Sequence, residues 1–105
     1  TDEMIVINGE RWRVRLVSPS HPFLVTGRGT PALGSCDDIT KTIYISNILT
    51  PQRIKKVLCH EIVHAFMYSY NVNITDEVEE IVADLIATYG EQIIRLTRIT
   101  YDKLI

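Results

Sequence analysis

Two apolar runs near the start of the chain, Met4-Ile5-Val6-Ile7 and the segment from Trp12 to Val17, flank Asn8-Gly9. That dipeptide suits the left-handed backbone of a two-residue hairpin turn. The second run alternates, which places Trp12, Val14 and Leu16 on a core face and Arg11, Arg13 and Arg15 in solvent. The three arginines read as a wet sheet face rather than an anion site. Ser18 to Pro31 is rich in Ser, Pro, Gly and Thr. It reads as a loop, long for so small a domain and so a candidate rim for a cleft. Cys36 to Ser46 reads as a second hairpin with Ile43-Tyr44-Ile45 as its better strand.

Periodicity then changes from two to about 3.6. Thr50-Pro51 is a helix start, with Thr as the cap and Pro at the first helical position. The helix is expected to run to about Tyr70. Ile54, Val57, Leu58, Ile62, Val63, Ala65, Phe66 and Met67 make it apolar almost all round, so it is expected to be the central buried element. Thr75 caps a second helix whose first turn carries Asp76, Glu77 and Glu79, where the helix dipole favours acids. Its expected end is near Tyr89, or beyond Gly90 near Leu96. The predicted class is α+β, a minimal domain with a small antiparallel or mixed sheet of three to four strands on two helices. Residues 1–105 form one unit, mainly β over 1–48, with helices over 50–70 and 75–96 and a tail over 97–105 that is open between helix, strand and loose chain.

Composition narrows the function classes. A chain of 105 residues with 46% hydrophobic content buries only a modest single core. A net charge of -2 gives no electrostatic reason to expect nucleic-acid binding. No apolar run approaches the roughly 20 residues that span a bilayer, and no signal-peptide pattern is present, so a cytoplasmic location without membrane contact is expected. The two cysteines, Cys36 and Cys59, lack a paired metal-binding spacing and are expected as free thiols.

The chemistry concentrates in His60-Glu61-Ile62-Val63-His64, inside the first helix. Residues four apart on a helix lie about 40° apart on one face, so both imidazoles can reach one metal ion. Glu61, about 100° round from His60, is placed to touch a water on that ion, the position of a general base. A polar cluster in so apolar a helix costs several kcal/mol if unpaired, whereas one metal satisfies all three groups. Two imidazoles leave a tetrahedral zinc short of ligands, and the second helix offers the rest. Glu80, Ala83, Asp84 and Ala87 share one stripe, opposite an apolar arc of Val78, Ile81, Val82, Leu85 and Ile86. Glu80 is the candidate third ligand, and Asp84, one turn on, the acceptor for the outer N–H of a liganding His.

This arrangement, His60-Glu61-x-x-His64 followed by Glu80-x-x-Ala83-Asp84-x-x-Ala87, resembles the gluzincin metallopeptidases. Within them the small size resembles the ImmA/IrrE-type enzymes of phage and mobile elements and the short minigluzincins. Gly34 to Ser46 is similar to the strand pair that precedes the active-site helix in such members. The resemblance runs from about Gly34 to Ile94. It implies a zincin-like fold, one Zn2+ held by His60, His64 and Glu80, and peptide hydrolysis by a zinc-activated water with Glu61 as base. Fifteen residues separate His64 from Glu80, fewer than in the large gluzincins, and this keeps Glu77, Glu79 and Asp84 in play as third ligand. A protein or peptide substrate is implied, with a helix-turn-helix transcriptional repressor as one class, lying extended along Ile43 to Ser46.

Smaller expectations complete the reading. Tyr68, Tyr89 and Tyr101 are candidate donors to an oxyanion, and Tyr44 a candidate substrate contact. His21 reads as a surface histidine, Cys59 as core, and Cys36 as a small buried thiol with an inhibitory metal thiolate as the rarer alternative. The alternative function is a latent zymogen or silent zinc-binding module whose own segment Ile99 to Ile105 fills the cleft. Oligomeric state is not readable from the sequence.

Overall fold

The structure, a computed structural model, describes residues 2–27 and 29–105; Arg28, within the expected loop, lies outside them. Strands β1 (Asp2–Ile7) and β2 (Glu10–Val17) pair antiparallel through the Asn8-Gly9 turn. Both turn residues have positive φ, 50° at Asn8 and 76° at Gly9, as a primed two-residue turn requires. Strands β3 (Gly34–Asp37) and β4 (Thr42–Ser46) form the second hairpin. Because β4 pairs parallel to β2, the mixed sheet has the order β1-β2-β4-β3. The fold is thus α+β, with four strands and two helices, as the patterning predicts.

Helix α1 (Pro51–Ser69) starts where Thr50 accepts a hydrogen bond from the Arg53 N–H and Pro51 opens the first turn. It lies against β3, β4 and the end of β1. Ile54, Val57, Leu58 and Ile62 pack on a buried cluster of Ile7, Trp12, Ile43, Ile45 and Ala65. The Trp12 indole N–H donates to Ser69 Oγ at 2.9 Å and the Asn8 amide donates to the Ser69 carbonyl at 2.9 Å, so the hairpin is tied to the helix end.

The second face of the sheet carries its own small core. Val17, Leu24 and Tyr44 cluster there, and Phe23 stacks on Tyr44 at 4.8 Å between ring centroids. This corrects two expectations. Leu16 is exposed, because α1 does not lie over β2 where that strand ends, while Val17 on the arginine face is buried under Leu24. The loop after β2 therefore caps the far sheet face rather than the cleft, and only its end, at Leu33, reaches the helix side. His21 packs at a tilt on Tyr44 in that cap, 4.7 Å between ring centroids.

Helix α2 (Asp76–Leu104) begins at Thr75, which accepts from the Val78 N–H at 3.2 Å, and runs 29 residues without a break. The expected end at Tyr89 or Leu96 falls short. Gly90 lacks a Cβ but sits on the line facing α1, where its cost of about 1 kcal/mol in a helix is tolerated. Residues 97–104 continue the helix, and residues 91–105 are all exposed. The C-terminal segment accordingly projects away from the body instead of filling a cleft. A radius of gyration of 15.2 Å, against about 13 Å for a compact chain near this length, records that projection.

Candidate metal centre

Helices α1 and α2 pack antiparallel, and their register is visible in three side-chain pairs: Lys55 with Glu91, His60 with Asp84, and His64 with Glu79 and Glu80. The small residues make this approach possible. Ala83 is fully buried between the acids on α2. The two imidazoles stand one turn apart on α1, their Nε2 atoms 3.1 Å from each other. Glu80 lies across both, with Oε2 3.2 Å from His60 Nε2 and Oε1 2.9 Å from His64 Nε2. One ligand atom from each of His60, His64 and Glu80 falls within 4.8 Å of the others.

The outer ring nitrogens are held as well. His60 Nδ1 lies 2.9 Å from Asp84 Oδ1, and His64 Nδ1 meets Glu79 Oε2 in a short hydrogen bond. Each imidazole is thereby oriented with Nε2 inward and Nδ1–H donating outward, the tautomer a metal ligand needs. Two imidazoles and a carboxylate match the His2Glu donor set of catalytic zinc, which leaves a further position open to water or substrate. The surrounding charge agrees: Asp76, Glu79, Glu80 and Glu61 line one cavity of about 470 Å³ beside the pair, a field that a divalent cation neutralises.

Glu61 is buried next to His60 and lines both this cavity and an adjoining one of about 370 Å³. Burial pushes its carboxyl up from the ordinary value of 4.5; positive charge on His64 and His60 pulls the other way, and Glu80 adds to the rise. A base held above the usual carboxylate range is better suited to proton transfer near neutrality. The edge strand β3 brings Gly34 hard against it. A Cβ at Gly34 would stand 2.7 Å from Val57 Cγ1 and 3.2 Å from Glu61 Oε2, so only glycine lets the strand approach so closely.

The sequence-level candidates separate cleanly in space. His60, Glu61, His64, Glu80 and Asp84 gather at one point. Among the tyrosines only Tyr68 lines the cavity; burial and then the nearby Cys36, Glu79 and acidic side chains push its phenol up, so it stays a protonated donor. Tyr44 does not belong here, since its ring packs on the opposite sheet face. Tyr89 and Tyr101 are exposed and line none of the cavities beside the histidines. Strand β4 cannot take an extended substrate, because both its edges are occupied by β2 and β3; the free edge beside the histidines is β3. Cys36 lines the cavity, but burial first, then the charges of Glu61, Asp38, Asp37 and Glu79, drive its thiol strongly up, which keeps it a neutral S–H.

The sequence leaves the roles of four contributors unread. Glu79 was weighed as a ligand rather than as the partner of His64, although it precedes Asp84 by five positions, close to the four that separate the histidines. Gly34 gives no local signal of its close approach. Arg53 and Lys56, on the turns of α1 before His60, line the smaller cavity and make that end of the cleft basic.

A family model, Peptidase_M78, described as the IrrE N-terminal-like domain, matches residues 13–93. No curated protein and no solved structure matches the chain.

Proposed function

The chain belongs to the IrrE N-terminal-like domain family, a peptidase family, and from that premise we propose that it is a zinc-dependent metalloendopeptidase. One observation carries the reading: two inward Nε2 atoms and the Glu80 carboxylate converge, with an outer acid on each imidazole and a buried Glu61 alongside. His60, His64 and Glu80 would hold one ion. When bound, zinc supplies Lewis acidity, bringing the pKa of a coordinated water to about 7 and polarising the peptide carbonyl.

The chain's own residues supply the rest. Glu61 takes the proton from the attacking water and returns it to the leaving amine. Tyr68, a neutral phenol on the cavity wall, donates a hydrogen bond to the developing oxyanion. The free edge of β3, Gly34–Asp37, pairs with an extended peptide as an added strand, which aligns the scissile bond over the histidines. Unstructured protein segments are therefore the substrate class, and a transcriptional repressor with such a segment fits. No helix among the described residues is long and apolar enough to cross a membrane.

Metal analysis of protein purified without added zinc, together with cleavage of a casein-type unfolded substrate, tests the proposal. Wild type should carry about one zinc per chain and cleave. Glu61→Gln should keep the metal and lose cleavage, and His60→Ala should lose both. Cleavage by Glu61→Gln at the wild-type rate would remove Glu61 as the base and the mechanism with it.

A further inference from the structure

The face of α2 turned away from the histidines is apolar and exposed. Val78, Ile81, Leu85, Tyr89, Ile93, Leu96 and Ile99 follow one another along it at helical spacing, each between 44% and 67% exposed. A stripe of seven large side chains exposes several hundred Å², at or above the largest apolar patch of a typical monomer, about 300–600 Å². It approaches the roughly 800 Å² that each partner contributes to a standard interface. The second half of α2, residues 91–104, projects with every residue exposed. An isolated helix of such length is marginal in water and calls for a partner.

We propose that this face pairs with the same face of a second copy of the chain, the two α2 helices antiparallel about a two-fold axis that passes at the level of residue 87. The sequence is nearly self-complementary about that point. Val78 mirrors Leu96, Ile81 mirrors Ile93, and Leu85 mirrors Tyr89, so six of the seven stripe residues meet an apolar one, as an isologous contact requires, and Ile99 meets the Thr75 cap. Charge follows the same direction beside the stripe: the first half of α2 carries Asp76 and Glu77, with Glu79, Glu80 and Asp84 turned to the histidines, whereas the second half carries Arg95, Arg98 and Lys103 against Glu91 and Asp102. Glu77 and Arg95 are eighteen residues apart, five full turns, so they share one edge of the helix beside the apolar stripe. In the antiparallel pair Glu77 of each copy lies two residues, about 3 Å along the axis, from the level of Arg95 of the other, within reach of two long side chains, and among the described residues neither has an ion-pair partner within its own chain. A parallel pair would set acid against acid.

The metal centres face outward on opposite sides of the paired helices, so both stay open to substrate.

Sedimentation equilibrium of the whole chain from micromolar to millimolar concentration tests the pairing. Wild type should reach twice the 12.0 kDa of one chain. Leu85→Glu with Ile93→Glu, both on the exposed stripe, should keep the helical circular dichroism and sediment as a single chain, with dimer affinity reduced at least 100-fold. Glu77→Arg alone and Arg95→Glu alone should each weaken dimerisation about tenfold, and the double reversal should restore it. Wild type that stays a single chain at 1 mM, or a dimer indifferent to the stripe variants, would overturn the proposal; a dimer in which the double reversal fails to rescue would overturn the antiparallel register.

Discussion

Replacement of Gly34 by Ala tests whether the close approach of β3 to α1 sets the position of Glu61. The added Cβ would lie 2.7 Å from Val57 Cγ1 and 3.1 Å from Glu61 Cγ. Non-bonded carbons settle at about 3.5–4.0 Å, so the strand, the valine or the glutamate has to move by most of an ångström. Val57 is β-branched and stiff at χ1, and packs against the core cluster. Relief at the valine therefore disturbs packing, at the usual overpacking cost of about 1–3 kcal/mol. With about 4–8 °C of melting temperature per kcal/mol for a domain near this size, Gly34→Ala should melt at least ~4 °C lower. Any part of the strain relieved at Glu61 appears in the rate instead, since a displacement of this size in a proton-transferring group costs on the order of 100-fold. The assay is a double-mutant cycle with Val57→Ala, read by thermal melting and by kcat on an unfolded substrate. Val57→Ala should rescue much of both losses in the Gly34→Ala background while being mildly harmful alone, so the two changes should be strongly non-additive. Additive effects, or an unchanged kcat and melting temperature in Gly34→Ala, would refute the steric argument.

The remaining predictions use the same geometry. In metal-free protein the raised carboxyl of Glu61 contributes stability that is present below pH 4.5 and lost as pH rises through the folded-state value; Glu61→Gln should therefore be the more stable form at pH 7–8 in EDTA, with the gap closing below pH 4.5. Urea titrations at several pH values check this, and parallel curves for the two proteins would contradict it. Glu79→Gln and Asp84→Asn should each weaken zinc binding about 10–100-fold without loss of helix, and Glu79→Gln the more, because its side chain is 19% exposed against 71% for Asp84. Competition with a chromophoric chelator measures this; affinities within twofold of wild type would remove the orienting role. Ser69→Ala strands the buried Trp12 N–H and should cost about 1–3 kcal/mol, read by chemical unfolding; an unchanged midpoint would mean the indole finds another acceptor.

What the chain discloses in advance follows the range over which its residues act. The Asn8-Gly9 turn, the Thr50-Pro51 and Thr75 caps and the His60-Glu61-x-x-His64 cluster are local, each specified within a few residues, and each appears in the structure where the pattern places it. Assigning Glu80 and Asp84 to the histidines required one long-range assumption, that the two helices pack antiparallel on their small-residue stripe; the six-residue connection between α1 and α2, residues 70–75, makes any other packing difficult. Sheet order was the first thing out of reach. A parallel pairing of β2 with β4 cannot be read from alternation, which is the same for either strand direction, and it moves the free edge from the Ile43 strand to the Gly34 strand.

Helix α2 shows why face assignment is the harder inference. Its hydrophobic pattern is strongly amphipathic, and the ordinary rule turns the apolar arc to the core and the acids to water. The histidine pair reverses that rule within one chain: Glu79, Glu80 and Asp84 turn toward α1, and Ile81, Leu85 and Tyr89 are left outside. Three acids cannot be drawn against a helix of this hydrophobicity unless the imidazoles and the ion they would share offset the desolvation. The apolar arc, released from the chain's own core, becomes available to another molecule, so one substitution set should separate the two faces. Changes at Ile81, Leu85 or Ile93 should alter assembly and leave zinc affinity within a factor of two, whereas changes at Glu79 or Asp84 should do the opposite.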